Sequence, residues 1–198
     1  MNRLKRVCLM ILIVVALVFT VDFAIKNSSR AANSSGLRQS LIDLYRGNAG
    51  FWVTGDPATA PVTDWSFTDA DQTVLVETRT PYLVPHVVRT SIARSGAQLF
   101  LFSEYFAPPP GQPDLRDHFP EARFWNRMVV RDPRIRVKIG NQVFKMRAYP
   151  IIDENGEATA QQAFFNKYPD LRKQETIPES LRPRLHFFRL KQGWEDRS

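Results

Sequence analysis

The residues with most chemistry to offer are three histidines, His86, His118 and His186. None stands at metal-ligand spacing from another histidine or from a cysteine, so no metal site is expected. The one cysteine, Cys8, lies inside an apolar stretch. The rest of the chain therefore has no disulfide, no thiolate metal site and no cysteine nucleophile. No serine sits in a G-x-S-x-G context. The acidic pairs Asp69/Asp71 and Asp153/Glu154 fall in segments that read as turns, where carboxylates serve the backbone. No side chain declares itself a general acid or base. Two classes remain: a protein whose bound cofactor does the chemistry, and one that binds without reacting.

Charge narrows the partners. The chain of 198 residues carries a net +7, of which +4 falls in residues 1–30 (Arg3, Lys5, Arg6, Lys26 and Arg30 against Asp22). The remaining excess of three charges is spread out. A nucleic-acid module should concentrate its basic residues, so none is expected here. Val7 to Val21 is almost unbroken apolar sequence, and Phe23 to Ile25 extends it. As a helix of about 19 residues it nearly matches a ~30 Å hydrocarbon core. A single-pass anchor over residues 1–26 is expected, with the N-terminus in the cytosol and the domain outside it, in a periplasmic or extracytoplasmic space. The alternative is a cleaved signal segment ending near Ala31.

Residues 27–64 read as a tether. They contain a short amphipathic helix (Leu37, Leu41, Leu44, Tyr45) and a loop from Phe51 to Asp64 rich in Gly, Pro, Thr and Asp. A folded domain is expected over 65–190, followed by a polar tail at 191–198. Its strands read as Thr73–Thr78, His86–Ala93, Ala97–Ser103, a pair within Arg134–Ile152, and Arg184–Leu190. Helices read over Phe119–Val130 and Glu157–Tyr168, the second stopped by Pro169. The segment Glu104–Pro120, with five prolines, runs as a surface excursion. The fold class is mainly β with helices. Antiparallel strands in this number favour closure into a six-stranded barrel, because closure removes exposed edges.

The most distinctive stretch is Phe124 to Tyr149. Ile135, Val137 and Ile139 alternate with Arg134, Arg136 and Lys138; Gly140-Asn141 turns the chain; Val143, Met146 and Ala148 return it. This is a β-hairpin. Trp125, seven intervening residues, Pro133, then Ile135, Val137, Ile139 and Gly140 form a pattern that resembles the deazaflavin-dependent nitroreductases of the flavin-binding split-barrel superfamily, also called pyridoxamine phosphate oxidase-like. A helix ending in Lys167-Tyr168-Pro169 is shared as well. The resemblance covers roughly Thr73 to Leu190. It implies a split barrel, a flavin-type cofactor (flavin mononucleotide or the deazaflavin F420), oxidoreductase chemistry and a homodimer.

The resemblance also implies where the cofactor would lie. The loop after the first strand, which holds phosphate in that family through Gly-Arg-Lys-Ser/Thr-Gly, here reads Thr78-Arg79-Thr80-Pro81-Tyr82. Arg79 and Thr80 match as anion ligands; the glycines and the lysine are absent, and Pro81 removes a backbone donor. Arg79 solvating a loop is the alternative. Arg89 and Thr90 on the second strand match a phosphate grip, or Arg89 points outward. Ser103 ends the third strand where the ring is approached, and Trp125 matches an aromatic near the cofactor or fills the core. The expected cofactor set is thus Arg79, Thr80, Arg89, Thr90, Ser103 and Trp125. A barrel without cofactor, acting as a membrane-tethered ligand- or protein-binding domain, is the other reading.

Overall fold

The computed structural model describes residues 48–50, 52–81 and 84–193. The expected anchor helix at 1–26 and the amphipathic helix near Leu37–Tyr45 lie outside the described residues. Among the described residues no helix is long and apolar enough to cross a membrane.

Six antiparallel strands close on themselves. They are β3 (Thr73–Thr78), β4 (His86–Ser95), β5 (Gln98–Tyr105), β6 (Arg134–Ile139), β7 (Gln142–Pro150) and β8 (Arg184–Gln192), in the cyclic order β4-β3-β6-β7-β8-β5 and back to β4. Two three-residue strands precede them: β1 (Asn48–Gly50) and β2 (Asp56–Ala58). The helices are α1 (Phe124–Arg131) and α2 (Glu154–Lys167), with 3-10 turns at Ser66–Ala70 and Pro169–Thr176. The barrel expectation holds, and the β6–β7 hairpin turns at Gly140-Asn141, with Gly140 at φ +57°. That φ is readily available to glycine.

Strand alternation sorts the side chains between two apolar faces. Ile135, Val137 and Ile139 point into the barrel with Val74, Val76, Phe144 and Phe188. The apolar run in β5 is buried on both sides. Leu99 and Leu101 face the barrel interior, whereas Phe100 packs with Ala160, Ala163 and Phe164 of α2 on the outside.

Three boundaries differ from the sequence reading, each for a local reason. Helix α1 starts at Phe124 rather than near Phe119; its N-cap, Arg123, offers no capping side chain. Helix α2 starts three residues early, at Glu154. Asp153, read as part of a turn, is its N-cap and accepts a hydrogen bond from the Gly156 N–H at 2.7 Å. The loop read over Phe51–Asp64 is not all loop. Its β2 pairs in parallel with Gln142–Phe144 of β7, and Val53 is buried with Val87 and Val143. The reason is an open edge. Strand β8 pairs with β7 only from Met146 onward, and β2 satisfies the backbone groups that β8 does not reach. Strand β1 does the same beside Val87 and Val88 of β4.

Candidate functional site

Among the described residues the ladder parts between β4 and β5. Strand β4 pairs with β3 through His86–Ser91, but with β5 only through Ile92–Ser95. Beyond Leu101, β5 leaves β4 and continues against β8, from Phe102 to Tyr105. The two strands diverge there, tied by one side chain: Thr90 Oγ1 donates to the Phe102 carbonyl at 2.7 Å. The divergence leaves a cleft of about 350 Å³. Arg89, Thr90 and Ser91 form one lip, while Phe102, Ser103, Glu104 and Phe106 form the other. Arg123 and Trp125 close it from the α1 side.

Four of the six expected residues line this cleft. Arg89 is exposed on β4, opposite Leu75 of β3. Ser103 is buried, and its Oγ accepts from Asn126 Nδ2 at 3.0 Å. Trp125 is buried too, its ring 5.0 Å from that of Phe188, so it belongs to the core as well as to the cleft wall. Arg79 and Thr80 are elsewhere. They line a separate groove of about 540 Å³ with Trp52, Asp132, Arg134 and Lys145. The Thr80 hydroxyl donates to the Val84 carbonyl at 2.5 Å, closing its own loop.

Sequence reasoning missed Arg123. Its guanidinium is half-buried, donates to the Glu104 carbonyl and lies 5.5 Å from the centre of the Tyr105 ring. Burial pulls its pKa below the usual guanidinium range. An arginine stays charged nonetheless, so a desolvated cation faces the cleft, where an anion would be favoured. Asn126 was missed as well. It is fully buried and donates to both Ser103 Oγ and Tyr105 Oη, the latter at 2.8 Å. Its Oδ1 has no partner among the described residues. Burial raises the Tyr105 pKa, so the phenol stays protonated at neutral pH. Neither residue carries a motif; only the meeting of α1 with β5 reveals them. Glu104 puts one carboxylate in the cleft and accepts from Gln174 at 2.8 Å.

The described residues contain no cluster of three metal-ligating side chains. Comparisons with protein-family models and with curated protein sequences find no match. Solved structures do match. The heme storage protein HutZ from Vibrio cholerae aligns with TM-score 0.46 and 10% identity, over 65% of this chain and 87% of that one. An F420-H2-dependent reductase aligns with TM-score 0.41 and 18% identity, over 61% and 95%. A FAD-binding protein from Mesorhizobium loti aligns with TM-score 0.39 and 18% identity, over 64% and 82%. What this barrel binds rests on the residues of its own cleft.

Proposed function

We propose that the chain is a membrane-anchored split barrel, lying outside the cytosol, whose cleft between β4 and β5 binds a flavin-type cofactor for redox chemistry. Flavin mononucleotide and a deazaflavin are the two candidates. The observation that carries this reading is the pairing of two guanidinium groups, Arg89 and Arg123, with the hydroxyls of Thr90, Ser91 and Ser103 where the ladder opens. Arginine forks and hydroxyls suit a phosphate. Trp125 and Phe106 offer aromatic surface beside them. The cleft is near the lower end of small-molecule sites, ~300–1,000 Å³, so by itself it takes the phosphate and part of a ring system. The reading includes a homodimer, in which a second copy would cover the rim at exposed Phe106. A bound flavin would supply the electron or hydride transfer. The chain's own groups would hold the phosphate, orient the ring and exclude water.

A second reading has its own observation. Arg79 and Thr80 line the other groove, and Ser103 and Trp125 are already engaged in the core. This favours a cofactor-less barrel that binds a ligand or protein. One experiment separates the two. The full chain is purified in detergent, its visible spectrum recorded, and flavin mononucleotide and a deazaflavin titrated by fluorescence quenching. The cofactor reading expects saturable binding that weakens about ten- to a hundredfold in Arg89→Ala and Arg123→Ala, the effect of losing a hydrogen bond to a charged group. A colourless protein that binds neither compound at high micromolar concentration overturns it in favour of the second reading.

A further inference from the structure

Glu104 has no role in that proposal, although it lines the same cleft as Arg89 and Arg123. Elsewhere in the barrel three carboxylates beside arginines are bound to them: Asp69 to Arg94 at 2.6 Å, Asp114 to Arg116 at 2.5 Å and Glu77 to Arg136 at 3.0 Å. In the cleft the charges stay apart. Neither Arg89 nor Arg123 forms an ion pair with a carboxylate among the described residues. Arg123 instead donates to the Glu104 main-chain carbonyl and lies against the Tyr105 ring. The Glu104 side chain is half-buried, and its Oε1 accepts from Gln174 at 2.8 Å. Its Oε2 has no partner among the described residues. Arg89 is exposed and has no side-chain partner among them.

Opposite charges lining one cleft of about 350 Å³ attract one another. Here an amide and a main-chain carbonyl hold two of them out of an ion pair, so the cleft presents an open acceptor beside open donors. We propose that Glu104 selects the ligand of this cleft by accepting an N–H donor from it. The cleft then takes a molecule that carries an N–H group as well as an anion. The inference rests on the cofactor reading and deepens it. In flavin mononucleotide and in a deazaflavin the pyrimidine end of the ring carries an imide N–H, and the side chain carries phosphate. A carboxylate accepts and does not donate, whereas a guanidinium donates and does not accept. The two arginines therefore cannot meet the imide N–H, and Glu104 cannot meet the phosphate. Gln174 comes from the 3-10 turn at Pro169–Thr176; it fixes one carboxylate oxygen and leaves the other for the ligand.

The full chain in detergent is titrated with flavin mononucleotide and with its N3-methyl derivative, which lacks the imide proton. The native chain should bind the first about ten- to a hundredfold more tightly, the effect of a hydrogen bond to a charged group. Glu104→Met keeps the bulk of the side chain and removes the acceptor, so it should bind the two compounds alike. Glu104→Gln, which can still accept through its amide oxygen, should keep part of the preference. Thermal melting checks that both variants are folded. Equal binding of the two compounds by the native chain overturns the assignment. So does a preference that survives Glu104→Met, since exclusion of the methyl group would then account for it. Failure of the cofactor reading looks different: the native chain binds neither compound, and the assignment ends with it.

Discussion

Glu77, only 7% exposed one residue before the end of β3, carries a charge into the barrel wall, and Arg136 meets it from β6. The same carboxylate accepts from the Val53 N–H at 2.8 Å, while Arg136 donates to the Val53 carbonyl at 3.1 Å. Two side chains thus satisfy both backbone groups of a residue that has no ladder partner. Glu77→Ala leaves a guanidinium and an amide without their acceptor and should cost about 2–3 kcal/mol in urea unfolding. Glu77→Gln, which can still accept from Val53, should cost less. His86 shows the opposite state, a buried titratable group kept neutral. It is 2% exposed, its Nδ1 has no partner among the described residues, and its ring lies edge-on to Phe124 at 5.0 Å. Burial lowers its pKa from 6.5 to about 4. The unfolded chain therefore takes up a proton near pH 6.5 that the folded barrel refuses until about pH 4. The stabilisation is complete above pH 6.5 and is lost as pH falls toward 4, at most about 3 kcal/mol. An NMR titration should find the His86 ring still neutral at about pH 5.

At the scale of elements, the segment from Val53 to Ala58 is held to the β6–β7 hairpin by close backbone approach. Asp56 N–H donates to the Asn141 carbonyl at 2.9 Å, and Asn141 Nδ2 donates to Asp56 Oδ2 at 2.9 Å. Gly55 permits this, because a Cβ there would run into the Asn141 carbonyl oxygen. Gly55→Ala should push the segment off the hairpin and cost about 1–3 kcal/mol, with amide exchange at Asp56 rising more than in β6. The Lys-Tyr-Pro end of α2 is also explained by contacts. Lys167 Nζ donates to the Thr68 and Asp71 carbonyls, each at 2.6 Å, and the single Tyr168 hydroxyl proton is shared between the Gln72 and Ile92 carbonyls, 2.5 and 2.9 Å from Oη. These residues fasten the helix to the 3-10 turn and to β4, so their presence in the motif speaks for the fold and not for the cleft.

The whole molecule depends on closure. Six strands share one interior, and Val137, 0% exposed, sits in the middle of it between β3 and β7. Val137→Asp would bury an unpaired carboxylate, which costs several kcal/mol. The expected outcome is loss of the cooperative thermal transition of the entire barrel; a variant that melts like the native chain would contradict a single shared core. Where closure fails, between Phe102–Tyr105 and Arg89–Ser91, the cleft appears. The Arg89→Ala and Arg123→Ala variants, both remote from the barrel interior's aliphatic centre, should change binding there far more than they change melting.

The alternation of Arg134–Ile139, the Gly140-Asn141 turn and the apolar run in β5 made the strands legible, because pleat and turn obey rules within a few residues. Those local rules carried the barrel and the inward set Ile135, Val137 and Ile139. They stopped at the site. Antiparallel pairing sets Thr78 opposite His86 and Leu75 opposite Arg89. Arg79 therefore leaves the end of β3 four residues, or roughly 13 Å, from the level of Arg89. The two arginines, adjacent in a sequence-based reading, line separate cavities. Arg123 reaches the Arg89 cleft across 33 intervening positions, and only the docking of α1 on the diverging strands brings it there. Which residues share a strand face is written locally; which strand edges part, and what meets in the gap, follows from closing the barrel.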